Sequence, residues 1–330
     1  MFLRRAATVL FTLLGLPAAA ECTGTNYLDQ LSPAQSAALT TAVADMPFAE
    51  GLIWQAQKDD RQITLAGTMH IYDPRLNPIR DRLRDHITTA DLILLEATPA
   101  EEQQLTELMT TRPDILFITE GPTLPELLDE ATWQQIVDAA RSRGIPAFLA
   151  AKMQPWYLSL NLSIPGCAMA DLMAGKRGLD GMIIADAQAA AIPMQALEPF
   201  TTIFDIFQQD PIEDQIAFLR FSLGAPDVQD QMFVAMLDRY FAHDVGRLWE
   251  LSRIAMADVP GLSEAEATEI FAETEQALLI DRNLNWMPVI SDAVAQHDRI
   301  VVAAGAAHLV GDFGLLQLLK NDGWALTRLD

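Results

Sequence analysis

Twice in this chain an apolar run ends in a glycine, two small or medium residues and a histidine. Ile63-Thr64-Leu65-Ala66 leads into Gly67-Thr68-Met69-His70, and Ile300-Val301-Val302-Ala303-Ala304 leads into Gly305-Ala306-Ala307-His308. Such runs are long enough for buried strands and too short for helices. The glycine lets the chain turn sharply off the strand end, or lets another group approach its backbone. The histidine then falls just beyond the strand, where α/β sheets keep their ligand crevices. A third run, Leu92-Ile93-Leu94-Leu95, delivers Glu96 in the same way. A carboxylate so placed is costly unless it is paired, hydrogen-bonded or bound to a cation. His70, Glu96 and His308 are therefore a candidate metal set or a candidate acid/base set. Only five histidines exist in the chain, and two occupy this duplicated context. The H-E-x-x-H zinc signature is absent.

Composition narrows the function classes. Of 330 residues, 50% are hydrophobic, and 45 Asp and Glu face 22 Lys and Arg for a net charge of −23. That is enough apolar content for a large core. The charge argues against nucleic acid, because nothing here releases phosphate counterions on the needed scale, and it disfavours anionic lipid. Two cysteines cannot build a disulfide-dense scaffold or a four-thiolate zinc site.

The N-terminus reads as an address. Arg4 and Arg5 precede the apolar run 6–16, and Ala18-Ala19-Ala20 supplies small residues for cleavage. That is the order of a secretory signal peptide over residues 1–20, leaving one domain over 21–330 in the periplasm or outside the cell, with no membrane segment after cleavage. In that compartment disulfides persist. Cys22 with Cys167 is the one intramolecular pair available; the bland alternative is two unpaired thiols, one of them buried.

The rest of the chain alternates strands and helices, then turns helical, then returns to strand. Leu52-Ile53-Trp54 and Ile63-Thr64-Leu65-Ala66 flank Lys58-Asp59-Asp60-Arg61 as a hairpin. Helical spacing occupies 79–89 and 132–143, the latter closed by Gly144 and followed by a strand over 145–149. An apolar helix follows Pro155, a turn with Gly175, Gly178 and Gly181 opens another helix over 181–190, and a strand covers 192–197. Residues 200–297 read as a helical insert, with amphipathic stretches at 212–223, 229–240 and 265–279. After the 300–304 strand come a helix over 312–320 and a strand over 324–329. This order predicts an α/β or α+β fold around a mixed β-sheet with flanking helices.

An ordered series of short motifs carries a resemblance. Gly67-Thr68-Met69-His70 is followed by Glu96, Gln154-Pro155-Trp156, Gly178-Leu179-Asp180 and Leu197-Glu198. Arg282-Asn283 with Trp286 and Gly305-Ala306-Ala307-His308-Leu309 with Gly311 and Gly314 complete it. Over nearly the whole chain beyond the leader, the sequence resembles the TraB/GumN family, which includes the Tiki metalloproteases. The resemblance implies an α/β fold shared with erythromycin esterase-like and haem-binding ChaN-like proteins. It also implies a divalent ion, such as Mn²⁺, Co²⁺ or Zn²⁺, held or faced by His70, Glu96 and His308. Glu198 and Asp180 match further acidic positions, and Arg282 and Asn283 match a polar pair. Alanines fill the middle of the second motif, so no hydroxyl nucleophile stands beside His308 and water attack is favoured.

Each residue also has a plain reading. Glu198 could cap or pair with the helix after it, Asp180 could cap the 181–190 helix, and Arg282 could be either a substrate-carboxylate clamp or a solvated charge. His86, His243 and His297 read as solvated; Met232, Phe233, Met236 and Leu237 read as core. The acidic run 264–275 reads as a solvated face, and Arg141 and Arg143 as charges that offset a helix dipole. The expectation is an exported metal-dependent hydrolase in which metal-activated water attacks a peptide or small ester, with Glu96 or Glu198 taking the proton. The rivals are a metal-free esterase-like hydrolase using His70 as base, and a binding protein for metal, haem or peptide without turnover.

Overall fold

Four strands run parallel and end at one edge of the sheet. The structure is a computed structural model that describes residues 22–330 except 209, 224–225 and 260–261. The leader expected over 1–20 lies outside the described residues. The strands are β1 (Ile53–Lys58), β2 (Arg61–Thr68), β3 (Leu92–Leu95), β4 (Met194–Ala196), β5 (Arg299–Gly305) and β6 (Ala325–Arg328), ordered β4-β3-β5-β2-β1-β6. β4, β3, β5 and β2 are mutually parallel, whereas β1 is antiparallel to both β2 and β6. The mixed α/β sheet is thus as expected, and its late strand β5 sits in the middle.

Local chemistry explains the elements. β3 is buried along its whole length, as a central parallel strand covered on both faces must be. The β1–β2 hairpin turns at Asp59, whose φ of 51° is tolerated by a short polar side chain. Two helices open with Pro in the first turn and a reciprocal cap: Ser32 with Gln35 before Pro33–Ala44, and Thr98 with Glu101 before Pro99–Thr111. The core joins sheet residues such as Ile63, Leu65, Leu94 and Val302 to Leu83, Ile183, Trp286 and Leu316 from the flanking helices.

Several expectations are corrected. Residues 145–149 form no strand: Pro146 begins the short helix Ala147–Ala150, whose Phe148 is 75% exposed. An apolar pentapeptide with no neighbouring strand edge has nothing to pair with, and a proline start favours a helical turn. The expected 265–279 helix runs on instead. Glu264–Glu275 passes through a π turn, Gln276–Ile280, directly into Asp281–Gln296. His86 is not simply solvated, because its Nδ1 lies 3.1 Å from Thr64 Oγ1. His243 likewise meets the buried carboxylate of Asp330 at 2.8 Å. Arg143 does meet the helix end as expected, donating to the Ala139 carbonyl, but it is buried and also donates to the carbonyl of Ile164. His297 is half-buried just past Gln296.

Cys22 and Cys167 are bonded, 145 residues apart in sequence. Closing so long a loop restricts the unfolded chain by roughly 5 kcal/mol in the entropic treatment, with about 2–4 kcal/mol typical in practice. Cys167→Ser, or reduction, should lower the thermal midpoint by several degrees; an unchanged melting curve by differential scanning calorimetry would contradict this.

Candidate functional site

The parallel register brings the functional side chains together. Thr68 lies opposite Gly305, and Leu95 opposite Ala303 and Ala196. His70, Glu96, Glu198 and His308 therefore emerge from the carboxyl ends of four adjacent strands. The two histidine motifs pack on each other: a Cβ at Gly67 would come within 3.1 Å of Ala306 and Leu309. Gly67 is thus a close-approach glycine, and Tyr240 Oη donates to its carbonyl at 2.9 Å. Gly305 has an ordinary φ of −49° and contributes its amide, which donates to Glu96 Oε1 at 2.6 Å.

At the centre lies Arg282, 7% exposed. Its Nε donates to both Glu198 oxygens at 3.1 Å, and one terminal nitrogen reaches Glu198 Oε1 and Glu96 Oε2 at 2.6 Å each. The other terminal nitrogen donates to His308 Nε2 and to the Leu278 carbonyl of the π turn, both at 3.1 Å. All five N–H groups are thereby used within the protein. Arg282 is thus not a solvated charge: its donors are spent on Glu96, Glu198, His308 and the Leu278 carbonyl. Glu198 is no helix cap either, since Trp286 Nε1 completes its shell at 2.9 Å.

A guanidinium can only donate, so His308 Nε2 accepts and its proton sits on Nδ1, which donates to Asn283 Oδ1 at 2.7 Å. Asn283 Nδ2 in turn donates to the carbonyls of His308 and Phe313. Burial, reinforced by the Arg282 charge, lowers His308 to about 4 against the pull of Glu96. It is neutral at pH 7. Burial alone would raise Glu96, yet it is held well below the usual carboxylate range by His308, His70, Arg282 and the Gly305 amide. With His308 neutral at pH 7, His70, Arg282 and the amide carry that effect.

His70 stands apart on the open side, with its side chain 65% exposed and Nδ1 3.3 Å from Asp180 Oδ1. Asp180 is the largest cause of a rise in the His70 pKa to about 9, aided by the charge of Glu96. The Asp180 oxygen is buried with no aligned hydrogen bond, so the contact is an ion pair rather than a linear bond. Backbone fixes the pair: Gly178 N and Leu179 N donate to the carbonyls of His70 and Met69. A Cβ on Gly178 would lie 1.9 Å from the Met69 oxygen, so that position admits glycine alone.

The three residues implied as metal ligands do not surround one point. His70 turns to Asp180, both Glu96 oxygens are engaged, and the His308 lone pair is taken by Arg282. Among the described residues no group of three or more His, Cys, Asp or Glu is arranged to hold a metal. As arranged, the donor set does not fit a divalent ion.

Trp286, Tyr240 and the Leu278 carbonyl join the site beyond the expected residues. Trp286 packs against the His308 ring, centroids 4.4 Å apart and planes tilted by 38°, and sits one helical turn from Arg282, a spacing visible in the sequence. The Gln154-Pro155-Trp156 motif lies elsewhere: Trp156 packs in a separate aromatic group with Tyr157, Phe204 and Phe207.

A mixed sheet whose buried charged residues gather at the carboxyl ends of parallel strands defines an α/β protein with a strand-end site. The chain belongs to the TraB/PrgY/gumN family, whose description matches residues 52–328. It is 23% identical over 265 residues to the uncharacterized protein YbaP of Escherichia coli (strain K12), covering 79% of this chain and 89% of that protein. The same identity and coverage hold for YbaP of Shigella flexneri.

Two outcomes follow. His308 takes up its proton far more readily unfolded than folded, so stability is full above about pH 6.5 and falls as pH drops towards 4. His308→Gln should remove roughly 3 kcal/mol of that pH dependence, read as the wild-type-minus-variant difference in urea unfolding across the window. Gly178→Ala should displace the His70 segment, and crosspeaks from His70 unmoved in a histidine NMR spectrum would contradict it.

Proposed function

We propose that this protein is a hydrolase acting on a peptide or small ester carbonyl by acid–base attack of water at His70 and Glu96. The observation that carries this reading is that the locked cluster reaches the open edge of the site at Glu96, beside His70. Arg282, Glu198, His308 and Asn283 have their polar atoms committed to one another, whereas His70 is open and Glu96, although each oxygen accepts a hydrogen bond, is partly exposed at the same edge. Glu96, ionised across the neutral range, accepts the proton of the attacking water. His70, protonated below about pH 9, donates its proton to the departing amine or alcohol. The Arg282 guanidinium keeps Glu96 ionised and oriented, and the residual positive charge of His70 favours an oxyanion beside it.

A leader-like N-terminus fits the same picture. The leader-like residues 1–20 and the Cys22–Cys167 bond suit an oxidising compartment, where extracellular or periplasmic peptides are the available substrates. The strongly acidic chain is not built for nucleic acid. A haem-binding role has one open imidazole, since His308 Nε2 is committed to Arg282.

The test is turnover of a fluorogenic peptide set and p-nitrophenyl esters by wild type, Glu96→Gln and His70→Gln. Each substitution should reduce kcat/KM by on the order of 10²–10⁴. The wild-type rate should be flat through neutral pH and fall as pH rises through about 9, where His70 loses its proton. A rate that climbs up to pH 9 would instead make His70 the base. Peptide retained intact with no turnover would move the protein to the binding class.

A further inference from the structure

We infer that the Arg282 guanidinium is the resident cation of this centre and stands where a divalent ion would otherwise be held, so that the site is complete without metal. This deepens the hydrolase reading, but it concerns cation binding and stands or falls on its own measurement.

Three acceptors converge on that one side chain. Glu96 Oε2 and Glu198 Oε1 lie 2.6 Å from the same terminal nitrogen, and His308 Nε2 lies 3.1 Å from the other. Two carboxylates and a neutral imidazole are the donor types that Mn²⁺, Co²⁺ or Zn²⁺ take, here spread around the guanidinium rather than closed on one metal-sized point. The imidazole is also held as a ligating imidazole would be, with Asn283 taking the Nδ1 proton and so aiming the Nε2 lone pair inward. What occupies the focus is a group that stays protonated at any accessible pH.

The guanidinium is also fixed there. Its plane sits over Trp286 at 4.8 Å, and the π turn offers the Leu278 carbonyl to its remaining N–H. Swinging it out would leave Glu96 and Glu198 facing each other in a buried pocket with no counter-charge, a cost that removal of one partner from a buried ion pair always carries. An entering ion would have to displace Arg282 and meet that cost first. The open side supplies no alternative focus, because His70 already faces Asp180.

The experiment is a direct titration of the purified full chain with Mn²⁺, Co²⁺ and Zn²⁺, each alone, by isothermal calorimetry, with thermal unfolding in the same ions and in EDTA. The wild type should take up no ion at the centre and keep its melting temperature in every condition. Arg282→Ala, which leaves the three acceptors facing an empty focus, should gain binding of one equivalent and melt a few degrees higher with the ion than without. One equivalent bound by wild type with a rise in melting temperature, both lost in His308→Ala, would overturn the inference. So would a folded Arg282→Ala protein that binds nothing, because the acceptors would then not form an ion site. Binding that persists unchanged in His308→Ala lies away from this centre and leaves the inference standing. If Arg282→Ala does not fold, the wild-type and His308→Ala titrations decide the matter alone.

Discussion

Burying a guanidinium is worthwhile only when every donor finds an acceptor, and that requirement organises this protein. Arg282 has two carboxylates, an imidazole and a carbonyl around it, contributed by β3, β4, β5 and the helix Gln276–Gln296 that spans the π turn. β3, β4 and that helix lie far apart in sequence, while β5 follows directly on the helix. The ion-pair cluster therefore holds together the ends of strands that backbone pairing alone would leave free to slip or fray. Its energetic worth is not simply additive, since desolvation offsets much of the attraction. Its geometric effect is clearer: one side chain fixes the orientation of three others.

The charges are graded from inside to outside. Deepest is neutral His308, packed against Trp286 and tied by Asn283. Next come the two carboxylates on Arg282. Outermost is His70, made positive by Asp180 and left half in water. Burial and neighbours push the two histidines of the repeated motif in opposite directions, so one local sequence design yields a neutral acceptor and a cationic donor. The opposite shifts come from environment alone: burial for His308, a neighbouring carboxylate for His70.

Much of this was legible in the sequence, because an apolar run ending in Glu96, His70 or His308 announces a strand end that carries chemistry. The parallel order then places those ends together. The role of Arg282 was not legible, since nothing local distinguishes a helix arginine in water from one at the centre of a buried cluster. The same holds for His86 and His243, whose partners Thr64 and Asp330 are distant in sequence. The helices Pro33–Ala44 and Pro99–Thr111 did carry readable capping boxes, Ser32 to Gln35 and Thr98 to Glu101. The stretch 145–149 misleads because short apolar runs fit either strand or helix until a neighbour decides. The π turn at Gln276–Ile280 leaves no compositional trace, yet it supplies the Leu278 carbonyl to Arg282.

The strand order has a consequence in time. β5 is made near the end of the chain yet lies between β2 and β3, the partners it must join. Without residues 299–305 the sheet would divide into the hairpin of β1 with β2 and the separate pair of β3 with β4, each with an open edge where β5 belongs. The sheet, the charged cluster and the site can therefore close only as a last act, when one late segment zips two waiting halves together. The longest-range pairings of the sheet, β5 with β2 and with β3, thus lie at its centre rather than at its edges.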